Sequence, residues 1–209
     1  MEYSKNGFDL LLWPREWHKR INRTFLSLVP LCIFVGIYDV LNAEPSILND
    51  YLLAADSGIV PKAILALLIS AAIGFIDVIC FAWPIADLCR YIGKRTEKFV
   101  APGFHIILMK SYAFSHLVFL PFLWLTMPVG QQIDRYSTNS RLYSIIGILM
   151  VVWQLAILLR TVGVKTKLEK DGRIFVGAAI YIWSSFEFIA LDYLLRLSYQ
   201  LFGVVDKIS

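Results

Sequence analysis

The sequence predicts an all-α fold: a polytopic membrane helix bundle of five transmembrane helices led in by an amphipathic N-terminal helix, forming one integral membrane domain over residues 1–209. Three observations carry this. Of the 209 residues 58% are hydrophobic and only 17% charged, against roughly 45–50% and about 25% in a soluble domain. Mean hydropathy is +0.64, which excludes an ordinary water-soluble globule. Five apolar runs, each near the length that crosses ~30 Å of hydrocarbon at ~1.5 Å per residue, are separated by short polar segments. With 14 Phe, 10 Tyr and 6 Trp the chain is also far too rich in aromatics for disorder.

The runs are about 24–42, 62–86, 104–127, 142–160 and 174–191. The first ends in Asp39-Val-Leu-Asn-Ala-Glu, where Leu41 is a poor residue before a cleavage site, so no cleavable signal peptide is expected. The fourth is the cleanest, with no charge and eleven Leu, Ile or Val from Leu142 to Leu159. The third allows two readings because Lys110 interrupts it: a helix from Gly103 with Lys110 snorkelling, or a span starting at Ser111 with Phe99–Met109 at the interface. Pro30 and Pro121 are candidate bends in the first and third. Residues 191–202 form either an outer interfacial helix or a continuation of the fifth span.

Lys and Arg alternate between the segments that link the spans. The N-terminus and the second and fourth loops carry five, four and five, against one, two and two in the others, with Lys110 left aside. The positive-inside rule makes the rich set cytoplasmic, with the N-terminus in and the C-terminus on the opposite side; in a prokaryote this is the cell inner membrane. Ahead of the first span, Pro14 stands where a helix begins, and Trp17, Ile21 and Phe25 recur every four residues while Lys19, Arg20 and Arg23 take other faces. That is an interfacial helix with basic residues set for anionic headgroups.

The lead-in around Trp13-Pro-Arg-Glu-Trp17, the Lys110-Ser-Tyr-Ala-Phe-Ser segment with Pro121 beyond it, the close of the fourth span at Trp153-Gln-Leu-Ala-Ile-Leu-Leu-Arg160-Thr-Val-Gly, and Val176-Gly-Ala-Ala179 together resemble the Yip (Ypt-interacting protein) membrane family. Phe8-Asp-Leu-Leu-Leu-Trp-Pro14 keeps the Asp-Leu and Pro of the Asp-Leu-Tyr-Gly-Pro motif found in eukaryotic members, without its Tyr-Gly, and is more similar to a prokaryotic-type member. The resemblance implies a non-enzymatic multi-pass membrane protein that acts by helix–helix association with membrane partners or by shaping the bilayer.

No phosphate loop, dinucleotide fingerprint, nucleophile elbow or zinc-protease motif is present, so neither an enzyme nor a cofactor is expected. The expected partners are the lipid bilayer and other membrane proteins or further copies of the chain. Nucleic acid is not among them, because a net charge of +4 is mild. Cys32, Cys80 and Cys89 read as reduced, buried small hydrophobes. His18 and His105, beside basic or interfacial segments, read as solvated or headgroup-facing.

Ionisable residues inside the apolar runs are the exceptions that need partners, since an Asp or Lys at mid-membrane costs about 2.5–3.5 kcal/mol. Asp39, Asp77, Lys110, His116 and Glu187 qualify. Asp77 and Lys110 flank the second loop at similar depth, which suggests an ion pair locking two helices. His116 and Glu187 both reach just past the midplane, where they form either a proton-responsive pair or separate bonds to neighbouring carbonyls and hydroxyls. These positions also suit the alternative function, a small transporter or channel component. Ala66, Ser70 and Gly74 make a small-residue stripe on the second span that lets another helix approach. Trp153 and Trp183, at matching depth, are expected to stack in the core.

Overall fold

The computed structural model describes residues 11–43, 59–121 and 138–201, and these are helical almost throughout. A short lead-in helix, α1 (Arg15–Arg20), is followed by a 3₁₀ turn (Leu26–Leu28) and α2 (Val29–Ala43). Then come α3 (Ile59–Arg95), α4 (Phe104–Ser115) with a 3₁₀ turn (His116–Phe119), α5 (Thr138–Lys165) and α6 (Lys170–Leu201). The only extended pairing among the described residues is a single antiparallel bridge between Val100 and Thr166.

Three of these helices are long and apolar enough to cross a membrane: Ile59–Arg95, Ser144–Lys165 and Lys170–Leu197. The first and third sequence runs appear as the shorter apolar helices Leu26–Asn42 and Phe104–Phe119. The remainder of the third run, 122–127, lies outside the described residues, as do Phe8–Leu10 of the lead-in, Arg135 and Lys207. Helix α6 runs unbroken to Leu201, so residues 191–201 continue the fifth run. Helix α4 begins at Phe104, with Gly103 at φ 68° just before it. Glycine is required there twice over: the left-handed backbone favours it, and a Cβ would meet the Arg23 side-chain stem at 2.8 Å.

The outward faces are apolar. Ile148 on α5 is 63% exposed, and Phe188 and Ile189 on α6 are 72% and 67% exposed. A continuous surface of this kind has hydrocarbon as its natural solvent. Helix α4 is the reverse: from Ile107 to Ala113 every residue is buried, with α2, α3 and α5 packed around it. A helix enclosed on all sides presents its polar side chains to protein rather than to lipid.

The tightest approach is between α2 and α3. A methyl at Gly36 would overlap the Ser70 carbonyl, and one at Gly74 would overlap the Cys32 carbonyl. The small-residue stripe of α3 is therefore the seat of α2, with Ala66 joining Val40 in a second core beside Leu195. Pro30 falls in the first turn of α2, at its junction with the 3₁₀ turn, instead of bending a span midway. Among the described residues, a proline inside a helix is Pro84 in α3. It has no N–H for the carbonyl four residues earlier, and the Trp183 indole donates to that Cys80 oxygen at 3.0 Å. Trp153 instead donates to the Leu11 carbonyl. The two indoles serve separate carbonyls, and no ring contact joins them among the described residues, so the expected stack is not formed. All three cysteines are free; Cys32 and Cys89 are buried, whereas Cys80 is exposed, contrary to the sequence expectation.

At one end of the bundle three basic segments meet. Ala101 N donates to Lys165 O at 3.1 Å and Lys167 N to Phe99 O at 2.8 Å, which joins the α3–α4 and α5–α6 connections. Lys98 and Glu169 add an exposed ion pair at 2.8 Å. Lys165 Nζ caps the lead-in by donating to Lys19 O at 2.8 Å and Ile21 O at 3.2 Å.

Candidate functional site

Two polar layers lie within the apolar bundle. The first pins the lead-in. His18 is fully buried, not solvated as its basic neighbours suggest. Its Nε2 donates to Leu12 O at 3.0 Å, which leaves Nδ1 to accept from Thr161 Oγ1 at 2.9 Å, and Thr161 in turn is bonded to Ser111. One neutral imidazole thus links α1, α5 and α4. Burial pushes the His18 pKa below its ordinary 6.5; the Leu12 carbonyl opposes this, and the Arg160 and Lys165 charges of α5 add to it.

A base whose folded pKa is depressed contributes stability that is complete above its unfolded pKa and lost as pH falls through the folded one. Lowering pH from neutral to well below 6.5 should therefore release α1 while the α2–α6 core stays folded. Amide exchange across Leu12–Arg20 at the two pH values checks this. His18→Gln should abolish the pH response, and a response that survives in that variant would assign it to another group.

His105 is half-buried at the surface, 2.6 Å from Arg90 and stacked on Trp83 at a centroid distance of 5.7 Å. Around α1, Trp13 and Trp17 make an edge contact at 4.6 Å, and Trp17 another with Phe114 at 5.1 Å. They line a cleft of about 560 Å³ with Trp153 and Met150 of α5. Aromatic bodies with polar tips at a helix end suit a membrane–water interface.

The second layer is deeper and holds four of the five ionisable positions. Asp39 of α2, Asp77 of α3 and His116 at the end of α4 each present an atom within 4.8 Å of the other two. Tyr112, one turn before His116, donates to Asp77 Oδ1 at 3.1 Å, with Glu187 Oε2 of α6 at 3.4 Å as a longer second acceptor. Its ring stacks on Phe81 at 3.9 Å with an interplanar angle of 11° and meets the His116 ring edge-on at 4.7 Å. His116 Nδ1 donates to Tyr112 O at 3.0 Å. Four helices therefore deliver side chains to one buried point.

Lys110 is not among them. Its Nζ donates to Ser27 Oγ at 2.7 Å, Asn22 O at 3.1 Å and the Asn22 side-chain oxygen, which uses all three N–H groups on the lead-in. The expected Asp77–Lys110 ion pair is not made. On a helix turning ~100° per residue, positions 110 and 112 point ~200° apart, and it is the 112 side that faces Asp77. His116 and Glu187 do share a layer, but each bonds to Tyr112 and no hydrogen bond joins them directly. Tyr112 is the member that depth counting missed. Its spacing of four from His116 is the signal that marks both as one face of α4.

Asp39 and Asp77 are 6% and 2% exposed, and Glu187 is 9% exposed. Among the described residues, Asp39 Oδ2 has no hydrogen-bond partner, and the Asp77 and Glu187 carboxyls bond to each other by sharing a proton. Buried carboxyl oxygens without partners are costly, so the layer is built for something other than tight packing. No protein family matches the chain, and no curated protein or solved structure shows significant similarity to it.

Proposed function

We propose that this is a non-enzymatic, multi-pass membrane protein of the Yip type. It threads the bilayer five times, with its N-terminus and basic end in the cytoplasm. It acts by docking that end on an anionic membrane face, where it shapes the bilayer and associates through its helices with membrane partners. One observation carries the reading: α1 and the two basic connections, three segments far apart in sequence, meet at a single end of the bundle, where Lys165 and His18 hold the amphipathic α1 and Lys110 holds the Asn22–Ser27 segment that follows it. These are the same three groups whose excess of Lys and Arg marks the cytoplasmic side, so local charge and tertiary contact agree.

The test is reconstitution of the full chain into sealed vesicles with rising acidic phospholipid content. Impermeant labelling of single cysteines at Lys19 and Lys167 should come from one side, and at Lys207 from the other. Vesicle deformation should rise with acidic lipid. Since a basic residue near such a surface contributes about 1 kcal/mol, Lys19→Glu, Arg20→Glu and Arg23→Glu together should largely abolish it. Labelling of Lys19 and Lys207 from the same side, or deformation indifferent to both lipid charge and the triple reversal, would overturn the proposal.

A second reading, a small transporter component, is favoured by the three buried carboxyls of the deep layer, of which Asp39 has an oxygen without a partner among the described residues. It requires water to reach cysteines placed beside Asp77, His116 and Glu187, whereas a scaffold leaves them protected.

A further inference from the structure

We propose that Asp39, Asp77 and His116 form a binding site for a divalent first-row transition cation, Mn2+, Fe2+ or Zn2+, inside the helix bundle. The site goes beyond the scaffold reading and stands independently of it. Three side chains from three helices bring one ligand atom each to within 4.8 Å of the others. Three atoms so placed lie within about 2.8 Å of a common centre, so movements of under ~1 Å give the ~2.0–2.2 Å bonds of such ions. Clustering alone would not identify a ligand. The second observation is that Asp39 Oδ2, on a side chain more than nine-tenths buried, has no hydrogen-bond partner among the described residues.

The surrounding groups fit a cation. His116 spends Nδ1–H on the Tyr112 carbonyl, which fixes the tautomer with the Nε2 lone pair free to bond a metal, the arrangement usual for metal-binding imidazoles. Tyr112 donates to Asp77 Oδ1 and so fixes that carboxylate in the layer. Charge closes as well: the nearest basic side chain of α4, Lys110, is committed to Asn22 and Ser27. A 2+ ion between these two carboxylates, with Glu187 beside them protonated and sharing its proton with Asp77, makes a neutral unit in a region where isolated charge is expensive. The imidazole disfavours Mg2+ and Ca2+, which take oxygen ligands, and selects borderline transition ions.

The experiment uses the purified full chain in detergent, stripped with a chelator and dialysed against Mn2+ or Zn2+, with Mg2+ as comparison. Bound metal is counted per chain, and Mn2+ is examined by paramagnetic resonance for coupling to an imidazole nitrogen. The expected result is about one transition ion per chain, nitrogen coupling in the wild type, and little Mg2+. His116→Gln, Asp39→Asn and Asp77→Asn should each weaken binding by more than the ~10–100-fold that loss of an outer partner costs. Should an Asp variant fail to fold, the wild-type nitrogen signal and its loss in His116→Gln decide the matter. Stoichiometric binding untouched by His116→Gln, or no binding above the Mg2+ level, would overturn the site and assign the two carboxyls to protons instead.

Discussion

Gly36→Ala and Gly74→Ala are each expected to destabilise the bundle by about 3 kcal/mol or more, at or above the top of the usual range for overpacking. Most small-to-large changes in a core are absorbed by rotation of a neighbouring side chain. Here the obstructing atoms are backbone: the Ser70 carbonyl and Gly74 nitrogen face Gly36, and the Cys32 carbonyl and Gly36 itself face Gly74. Only separation of α2 from α3 makes room, and that opens the packing of Cys32 and Val35 against the α3 face that carries Val78 and Phe81. Gly147→Ala is the control, because nothing lies within 4 Å of its added methyl. On helix propensity alone it should be neutral or stabilising by up to ~1 kcal/mol. Chemical unfolding in mixed micelles, followed by tryptophan fluorescence, distinguishes the three variants. Equal stabilities would show that the helices are not in this close contact.

Sequence depth proved informative in one dimension and uninformative in another. Counting residues from the basic connections puts His116 and Glu187 at one height, and the structure gathers both around Tyr112, together with Asp77, which the count had matched with Lys110. Height does not determine which way a side chain points. That is why Asp77 and Lys110, well matched in depth, belong to different layers, and why Trp153 and Trp183 serve different carbonyls. The stripe Ala66-x-x-x-Ser70-x-x-x-Gly74 was legible because small size has one use on an apolar helix, close approach. Its partner Gly36 was not, since a lone glycine carries no period. His18 was misread for a related reason: its neighbours in sequence are Lys19 and Arg20, but its environment is set by Thr161, 143 positions away. The basic segments were readable from composition, and the structure brings the lead-in and the α3–α4 and α5–α6 connections together at one end. The spans divide likewise. Three runs become helices of crossing length, while the first and third give shorter apolar helices, Leu26–Asn42 and Phe104–Phe119.

Tyr112 offers the sharpest separation of packing from polar function in the deep layer. Tyr112→Phe keeps the ring stacked on Phe81 but removes the hydroxyl that donates to Asp77 Oδ1. This variant leaves Asp77 Oδ1 without its donor, and the carboxyl keeps only the proton it shares with Glu187. A buried acceptor orphaned in this way costs about 1–3 kcal/mol. Tyr112→Ala removes the ring as well and should reach about 3–5 kcal/mol, the range for deleting a large buried aromatic. If Asp77 holds a cation, the two effects part company when metal is added. Tyr112→Phe should then recover part of its stability, because ligand bound only to the folded state stabilises it by mass action. It should also bind the ion ~10–100-fold more weakly, as expected for loss of an outer-sphere hydrogen bond. Unfolding curves of wild type, Tyr112→Phe and Tyr112→Ala with and without Mn2+ give all of these quantities. If Tyr112→Phe matches wild type in every condition, the hydroxyl–carboxylate bond contributes nothing, and Asp77 must be satisfied by another route.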